Sequence, residues 1–359
     1  MKKLFSLFTS LFMAGVVNAA DYQIETVAEG FELPWSIDFL PDGGYLVTTR
    51  PGEIYRLSPD GEKGEPLEGT PATYFAGQGG YFDIVLHPDF GENDTVYLAY
   101  AGGTPEANGT TITRAILAES GFVDAEVIFT ASPTKDTPLH YGGKMLFLPD
   151  GTLMVTTGDG FQYREAPLDK SSHLGKVIRI NDDGSTPEGN PFSGEDGDPL
   201  VFSYGHRNPQ GLAIDSETGD VYLHEHGPKG GDEVNLISAG ANYGWPAVTY
   251  GDNYTGAYVS PLKQYPGVTD PLHYWVPSVA PSGLAVYRGE MFPEWQGDLL
   301  VGALVDKEVR LLEMDKGEVV NEMPLFSEID QRIRDVRVGP EGQVYLLTDE
   351  GRILRVTAK

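Results

Sequence analysis

The chain has 359 residues, 22% of them charged, no cysteine and a formal net charge of −28. So anionic a field disfavours nucleic acid and anionic membrane surfaces as partners, and the missing thiols exclude disulfide staples and cysteine nucleophiles. Stability must come from the core, from closure of the fold and from any bound metal.

Residues 1–20 read as a secretory leader: Lys2 and Lys3 precede an apolar run over 4–17, and Val17 and Ala19 are small residues placed for cleavage. Losing these two lysines takes the charge from −28 to −30. The remainder, 21–359, has no uninterrupted run of the roughly 18 apolar residues that cross a bilayer. It reads as one exported, soluble domain, periplasmic or secreted.

From 37 to 348 one phrase recurs: an apolar strand, a Pro-Asp-Gly or Gly-Asp type turn, and a second apolar strand. It occupies 37–49 (IDFLPDGGYLVTT), 84–100, 145–157 (MLFLPDGTLMVTT), 212–224, 284–304 and 336–348 (VRVGPEGQVYLLT). Isolated hairpins would leave an apolar face wet, so repeats of this kind stack radially. The expectation is an all-β, six-bladed β-propeller, closed where 22–27 (YQIETV) joins the last repeat and 353–356 in one sheet. Insertions at about 100–138, 160–205 and 225–280 fall between paired strands, where loops carry function.

Polar groups gather beside these repeats. Gln78 stands in a Gly-Gln-Gly-Gly turn before the second. His140, followed by Tyr141, Gly142, Gly143 and Lys144, leads into the third, placed either as a general base near neutral pH or as a loop cap. Asp159 ends the return strand of that hairpin, where it either orients His140 or makes an Asp-Gly turn. Residues 195–198 (EDGD) offer oxygens to calcium without the spacing of a calcium loop. The run 205–211 (GHRNPQG) pairs Arg207 with Asn208, suited to a planar anionic molecule or to bracing a blade turn. His224 and His226 share a strand face, but a zinc site there lacks a third ligand in register. Gly227 and Pro228 offer carbonyls, and Asp232 and Glu233 carboxylates, to calcium. Arg332 and Arg334 share a face at the start of the last repeat, as a carboxylate clamp or as part of a solvated Arg–Asp pair. Several repeats thus deliver polar groups at one point, the entrance of the outgoing strand.

Dinucleotide, phosphate-loop and serine-elbow motifs are missing. The residues instead resemble the soluble pyrroloquinoline-quinone-dependent aldose sugar dehydrogenases, the glucose/sorbosone dehydrogenase family. The resemblance is carried by 33–36 (LPWS), 77–80 (GQGG), His140 with Gly143 and Lys144, 205–211, 226–228 (HGP) with 231–233 (GDE), 242–246 (NYGWP), 280–283 (APSG) and 332–335 (RIRD), in the family's order over about 33–356. It implies a quinone in the channel mouth, with calcium between the cofactor and the carbonyls of Gly227 and Pro228. His140 is implied as the base on the anomeric hydroxyl of an aldose, oriented by Asp159, while Arg207 stabilises charge developing on the cofactor oxygen. Gln78, Asn208, Arg332 and Arg334 are implied to hold cofactor oxygens and carboxylates, and Glu233 and Tyr243 to belong to a further structural calcium site.

The resemblance also implies a cofactor-contacting lysine where this chain has Val305, with Lys307 two residues on. That shift is roughly 6–7 Å along a strand. Two other readings share the fold: a calcium-dependent propeller lactonase, which needs acidic or amide ligands converging on a central ion, and a non-catalytic sugar- or partner-binding propeller. The persistence of His140, Arg207, Arg332 and Arg334 favours the enzyme. The sugar and the electron acceptor are not specified by these residues.

Overall fold

The structure is a computed structural model and describes residues 21–192 and 197–359. The leader at 1–20 and Glu195 and Asp196 of the acidic run lie outside the described residues. Six antiparallel four-stranded sheets follow one another along the chain and form the six blades of a β-propeller.

The inner strands are β2 (Pro34–Phe39), β6 (Tyr81–Leu86), β10 (Gly142–Phe147), β14 (Pro209–Ile214), β18 (Pro281–Val286) and β22 (Ile333–Val338). The return strands are β3 (Tyr45–Thr49), β7 (Thr95–Thr104), β11 (Leu153–Thr157), β15 (Val221–Glu225), β19 (Leu299–Ala303) and β23 (Val344–Thr348). Five of these return strands are buried at every position. Each lies between two neighbouring blades, so both faces are covered and the strand reads as a continuous apolar run instead of alternating.

The core is divided in the same way. Each apolar cluster joins adjacent blades, such as Leu46 and Ile54 with Ile84 and Leu98 between the first and second, or Leu300 and Leu311 with Val336 and Leu346 between the fifth and sixth. No blade buries its face alone, so the ring has to close. It does so where β1 (Tyr22–Glu29) pairs with β24 (Arg352–Ala358), with Tyr22 opposite Ala358 and Ile24 opposite Val356. The expected closure by 22–27 is therefore present, and it ties the two ends of the described chain together without a disulfide.

Every inner strand carries a register shift close to its start: between Pro34 and Ser36, Tyr81 and Ile84, Gly142 and Met145, Pro209 and Gly211, Pro281 and Leu284, and Ile333 and Asp335. A bulge turns the chain and re-aims its side chains. Repeated around the ring, it swings the entrance residues of every blade toward the axis. Deeper in the channel, Arg337 bridges Asp83 (2.6 Å) and Asp335 (2.9 Å), and Lys144 reaches Asp335 at 2.9 Å. Burial alone would push Asp335 up, but Arg337 and Lys144 hold its carboxyl below the usual range. This network links the inner strands of the second, third and sixth blades and forms a charged floor.

Candidate active site

A cavity of about 250 Å³ opens on the axis, and its wall takes residues from all six blades. Arg50, Arg332 and Arg334 contribute guanidiniums, Gln78, Asn208 and Gln210 contribute amides, and Trp35, Phe82 and Tyr141 contribute flat apolar faces. Among the described residues no aspartate or glutamate lines it. In a chain of net charge −28 that is a sharp local inversion, and a wall of cations, amides and rings suits a planar, anionic, oxygen-rich molecule.

Behind Tyr141 and Gly142 stands His140, buried and with φ of +49°. A left-handed conformation at a non-glycine residue is uncommon and occurs where surrounding contacts impose it. Those contacts are visible: the His140 N–H donates to Gln78 Oε1 at 2.8 Å, and a Cβ at Gly158 would stand 2.3 Å from the His140 carbonyl oxygen. Gly158 thus lets the return strand β11 come back close enough for Asp159 to reach the ring. His140 Nδ1 lies 2.7 Å from Asp159 Oδ1. Asp159 also accepts from Phe161 N–H (2.7 Å) and from Trp245 Nε1–H (2.7 Å). With the carboxylate fixing a proton on Nδ1, the Nε2 lone pair is left to accept another.

Burial, with the positive charge of Arg207, lowers His140 to about 4. Burial works against Asp159 ionising, but the His140 hydrogen bond and the charge of Arg207 hold it below the usual carboxylate range. At neutral pH the pair is therefore a charged Asp159 and a neutral His140, the form that can take up a proton.

Arg207 is buried, lies 5.2 Å over the Trp245 ring and donates through Nη1 to the carbonyls of His226 (2.9 Å) and Gly227 (2.7 Å). Its own N–H donates to Glu225, whose other oxygen lies 2.8 Å from His206 Nδ1; His206 Nε2 in turn lies 2.9 Å from Ser203 Oγ. The Ser203–His206–Glu225 line is sealed from solvent, so it sets the height of Arg207 and offers no exposed nucleophile.

Arg334 grips Asp349 through Nε (2.8 Å) and Nη2 (3.0 Å), and Arg332 Nε reaches the same carboxylate at 2.8 Å. Both arginines share a face as expected. Their acidic partner is Asp349 from the end of β23, whereas Asp335 turns into the channel toward Lys144. The clamp keeps an excess of positive charge toward the cavity.

The metal candidates divide. Glu233, Tyr243 and Gly227 line one small void of about 10 Å³, the size of a single water or ion. Burial, then the charge of Glu225, pushes Glu233 well above its ordinary value. The Tyr243 hydroxyl is engaged locally, donating to Leu236 O (2.6 Å) and accepting from Ser238 N–H (2.9 Å). Asp232 does not turn to a cation: its carboxylate accepts from Gly227 N–H, Ala280 N–H and Ser278 Oγ. The zinc pair fails as well. His224 Nε2 lies 3.3 Å from Gly283 O and His226 Nε2 lies 2.6 Å from Pro281 O, so both rings stitch the fourth blade to the fifth. Among the described residues no three metal-ligating side chains cluster.

Residues 31–355 match the family model described as Glucose / Sorbosone dehydrogenase. The aldose sugar dehydrogenase YliI of Escherichia coli is 38% identical over 349 residues, covering 95% of this chain and 94% of that protein. The chain belongs to the glucose/sorbosone dehydrogenase family. The crystal structure of the soluble aldose sugar dehydrogenase of Escherichia coli in the apo form superposes with a TM-score of 0.91 at 37% identity, covering 94% of this chain and all of that one. The PQQ-bound form of the Streptomyces coelicolor aldose sugar dehydrogenase gives 0.79 at 26% identity, covering 95% of this chain and 99% of that one.

Within the family frame, Gln78, Asn208, Arg332 and Arg334 meet at the cavity wall, and His140, Asp159 and Arg207 stand immediately behind it. Val305 does not line the cavity; its side chain is exposed, and Leu304 faces inward in its place. Lys307 is held 3.0 Å from Asp330. The residues missed from the sequence are Arg50 and Asp349, while Gln210 and Trp245 stand in the 205–211 and 242–246 motifs without an assigned role. Arg50 and Asp349 share a signal with Asp159: they directly follow the threonines that close β3 and β23, and Asp159 stands one glycine beyond the pair that closes β11.

Proposed function

We propose that the protein is an exported quinoprotein that oxidises aldose sugars to lactones with pyrroloquinoline quinone and calcium. The observation that carries this reading is a cavity wall of three arginines and three amides without one carboxylate, set against a buried, neutral His140 held by a charged Asp159. Such a wall fits the cofactor's planar ring and its carboxylates, so the donor set and the group agree.

When bound, the quinone supplies a two-electron acceptor for the hydride that leaves C1 of the sugar. His140 Nε2 takes the proton of the anomeric hydroxyl, and Asp159 holds the ring in the tautomer that makes this possible. Arg207 supplies fixed positive charge at the same end of the site, pre-set by its carbonyl and Trp245 contacts. Arg332, Arg334, Gln78 and Asn208 bind and orient the cofactor. The carbonyls of Gly227 and Pro228 would hold calcium, and Glu233 and Tyr243 a further ion. Trp35, Phe82 and Tyr141 exclude water from the ring faces.

Export rests on Lys2, Lys3, the apolar run 4–17 and the small residues before 20. The described residues contain no helix long and apolar enough to cross a membrane. The sugar's electrons pass to an acceptor outside the chain. Purified protein given the quinone and calcium should reduce an artificial dye when supplied with aldoses, and His140→Ala should lower turnover by about 10²–10⁴ while retaining cofactor. Wild-type turnover in that variant would remove His140 from the chemistry.

A further inference from the structure

Arg50 lies outside the sequence motifs that point to the site, one residue beyond β3. Its backbone is fixed on both sides: its N–H donates to Leu33 O (3.1 Å) and its carbonyl accepts from Tyr81 N–H (3.0 Å). A Cβ at Gly80 would stand 2.2 Å from that carbonyl, so glycine there lets the second blade close against it. The guanidinium reaches the cavity wall beside Arg334 and Arg332. One terminal nitrogen donates to Gly77 O (2.5 Å) and Gly79 O (3.3 Å), and Nε is buried with no partner among the described residues.

Its charge is poorly answered by the protein. Asp349 is already gripped by Arg334 and Arg332, and among the described residues no carboxylate lines the cavity. One carboxylate thus answers three cations, and among the described residues Arg50 pairs with none. A buried donor without an acceptor beside uncompensated positive charge marks a place where an anionic ligand atom belongs. The geometry points to Arg50 as a third cation of the cofactor clamp, donating to a carboxylate of the quinone. This rests on the reading of the site given above. It also leaves the clamp supplied with three cations although neither residue 305 nor Lys307 reaches the cavity.

Arg50→Gln and Arg50→Lys in the full chain, titrated with pyrroloquinoline quinone and calcium by equilibrium dialysis at low and high salt, test it. Arg50→Gln should bind about ten- to a hundredfold more weakly, the scale of one hydrogen bond to a charged group. Its affinity should also respond less to salt. Arg50→Lys should recover part of the loss, and with the esterified quinone wild type and Arg50→Gln should differ little. Melting of each apo protein separates this from a bracing role at Gly77 and Gly79, which would lower stability in both variants without changing the salt response. Equal affinity of wild type and Arg50→Gln at both salts overturns the inference alone; failure of wild type to take up the quinone overturns the reading of the site with it.

Discussion

Asp159→Asn isolates the orientation of the base from its presence. Three N–H groups converge on the native carboxylate at 2.7 Å each: His140 Nδ1 and Phe161 N on one oxygen, Trp245 Nε1 on the other. An amide of the same shape accepts through only one of those two positions. If its oxygen stays with His140 and Phe161, the NH₂ confronts the Trp245 donor in a site sealed from solvent. If it turns, Trp245 is satisfied but the NH₂ confronts Nδ1, which must then accept, moving the ring proton to Nε2. Either way a buried donor goes unpaired, at about 1–3 kcal/mol of stability, readable as a shifted urea midpoint with an unchanged slope. The second arrangement also removes the lone pair the sugar needs, so turnover in the dye assay should fall by about 10²–10⁴. Cofactor affinity should not change, because Asp159 does not line the cavity. Nitrogen NMR of His140 would report the tautomer directly. A folded variant with wild-type turnover would refute the assignment of Asp159 as the residue that sets the base.

The pH dependence follows from the same burial. With His140 lowered to about 4, kcat/KM should show no inflection near 6.5 and should decline only toward pH 4. Burial also lowers His224 to about 3. Both values lie below those of the unfolded chain, which therefore binds more protons between about 6.5 and these values. The contribution of these two histidines to stability should accordingly be complete above about pH 6.5 and drain away as the pH falls through that window, as urea unfolding at several pH values would show. Lys307→Ala should leave quinone affinity unchanged, since its ammonium is held by Asp330; a tenfold loss in dialysis would place that ammonium on the cofactor. Lys135→Met should destabilise the fold by about 1–3 kcal/mol in urea, because the buried amine, lowered by burial to about 7, donates to Asn108 Oδ1 and Thr137 O beneath the Tyr141 ring.

The fold was legible because its signal is redundant. Six strand–turn–strand phrases state the same period, and even the closure of the ring by 22–27 against 353–356 could be anticipated from the strand left over at each end. The site was legible where it lies at the entrance of outgoing strands, a position that short motifs at Gln78, His140, Arg207 and Arg332 mark repeatedly. The exits of return strands form a second ring of positions, marked in the sequence only at Asp159, His226 and residue 305. Arg50 and Asp349 escaped because a charged residue after a strand has the composition of an ordinary turn. Asp335 illustrates a different limit: its place beside Arg334 suggested their pairing, but the bulge between Ile333 and Asp335 sends it into the channel to Lys144. Alternation along a strand cannot forecast a bulge, and ligand readings of Asp232, His224 and His226 failed because bonds between blades consume those atoms.

In the proposed reaction the axial cavity holds the quinone while His140 draws the proton from an aldose. Its most direct test is an anaerobic single-turnover spectrum of the purified protein loaded with pyrroloquinoline quinone and calcium, before and after an equivalent of aldose. The bound quinone absorbance should convert to that of the reduced cofactor with the wild-type protein, and should do so far more slowly with His140→Ala. A loaded wild-type protein whose quinone spectrum is unchanged by every aldose tried would contradict it.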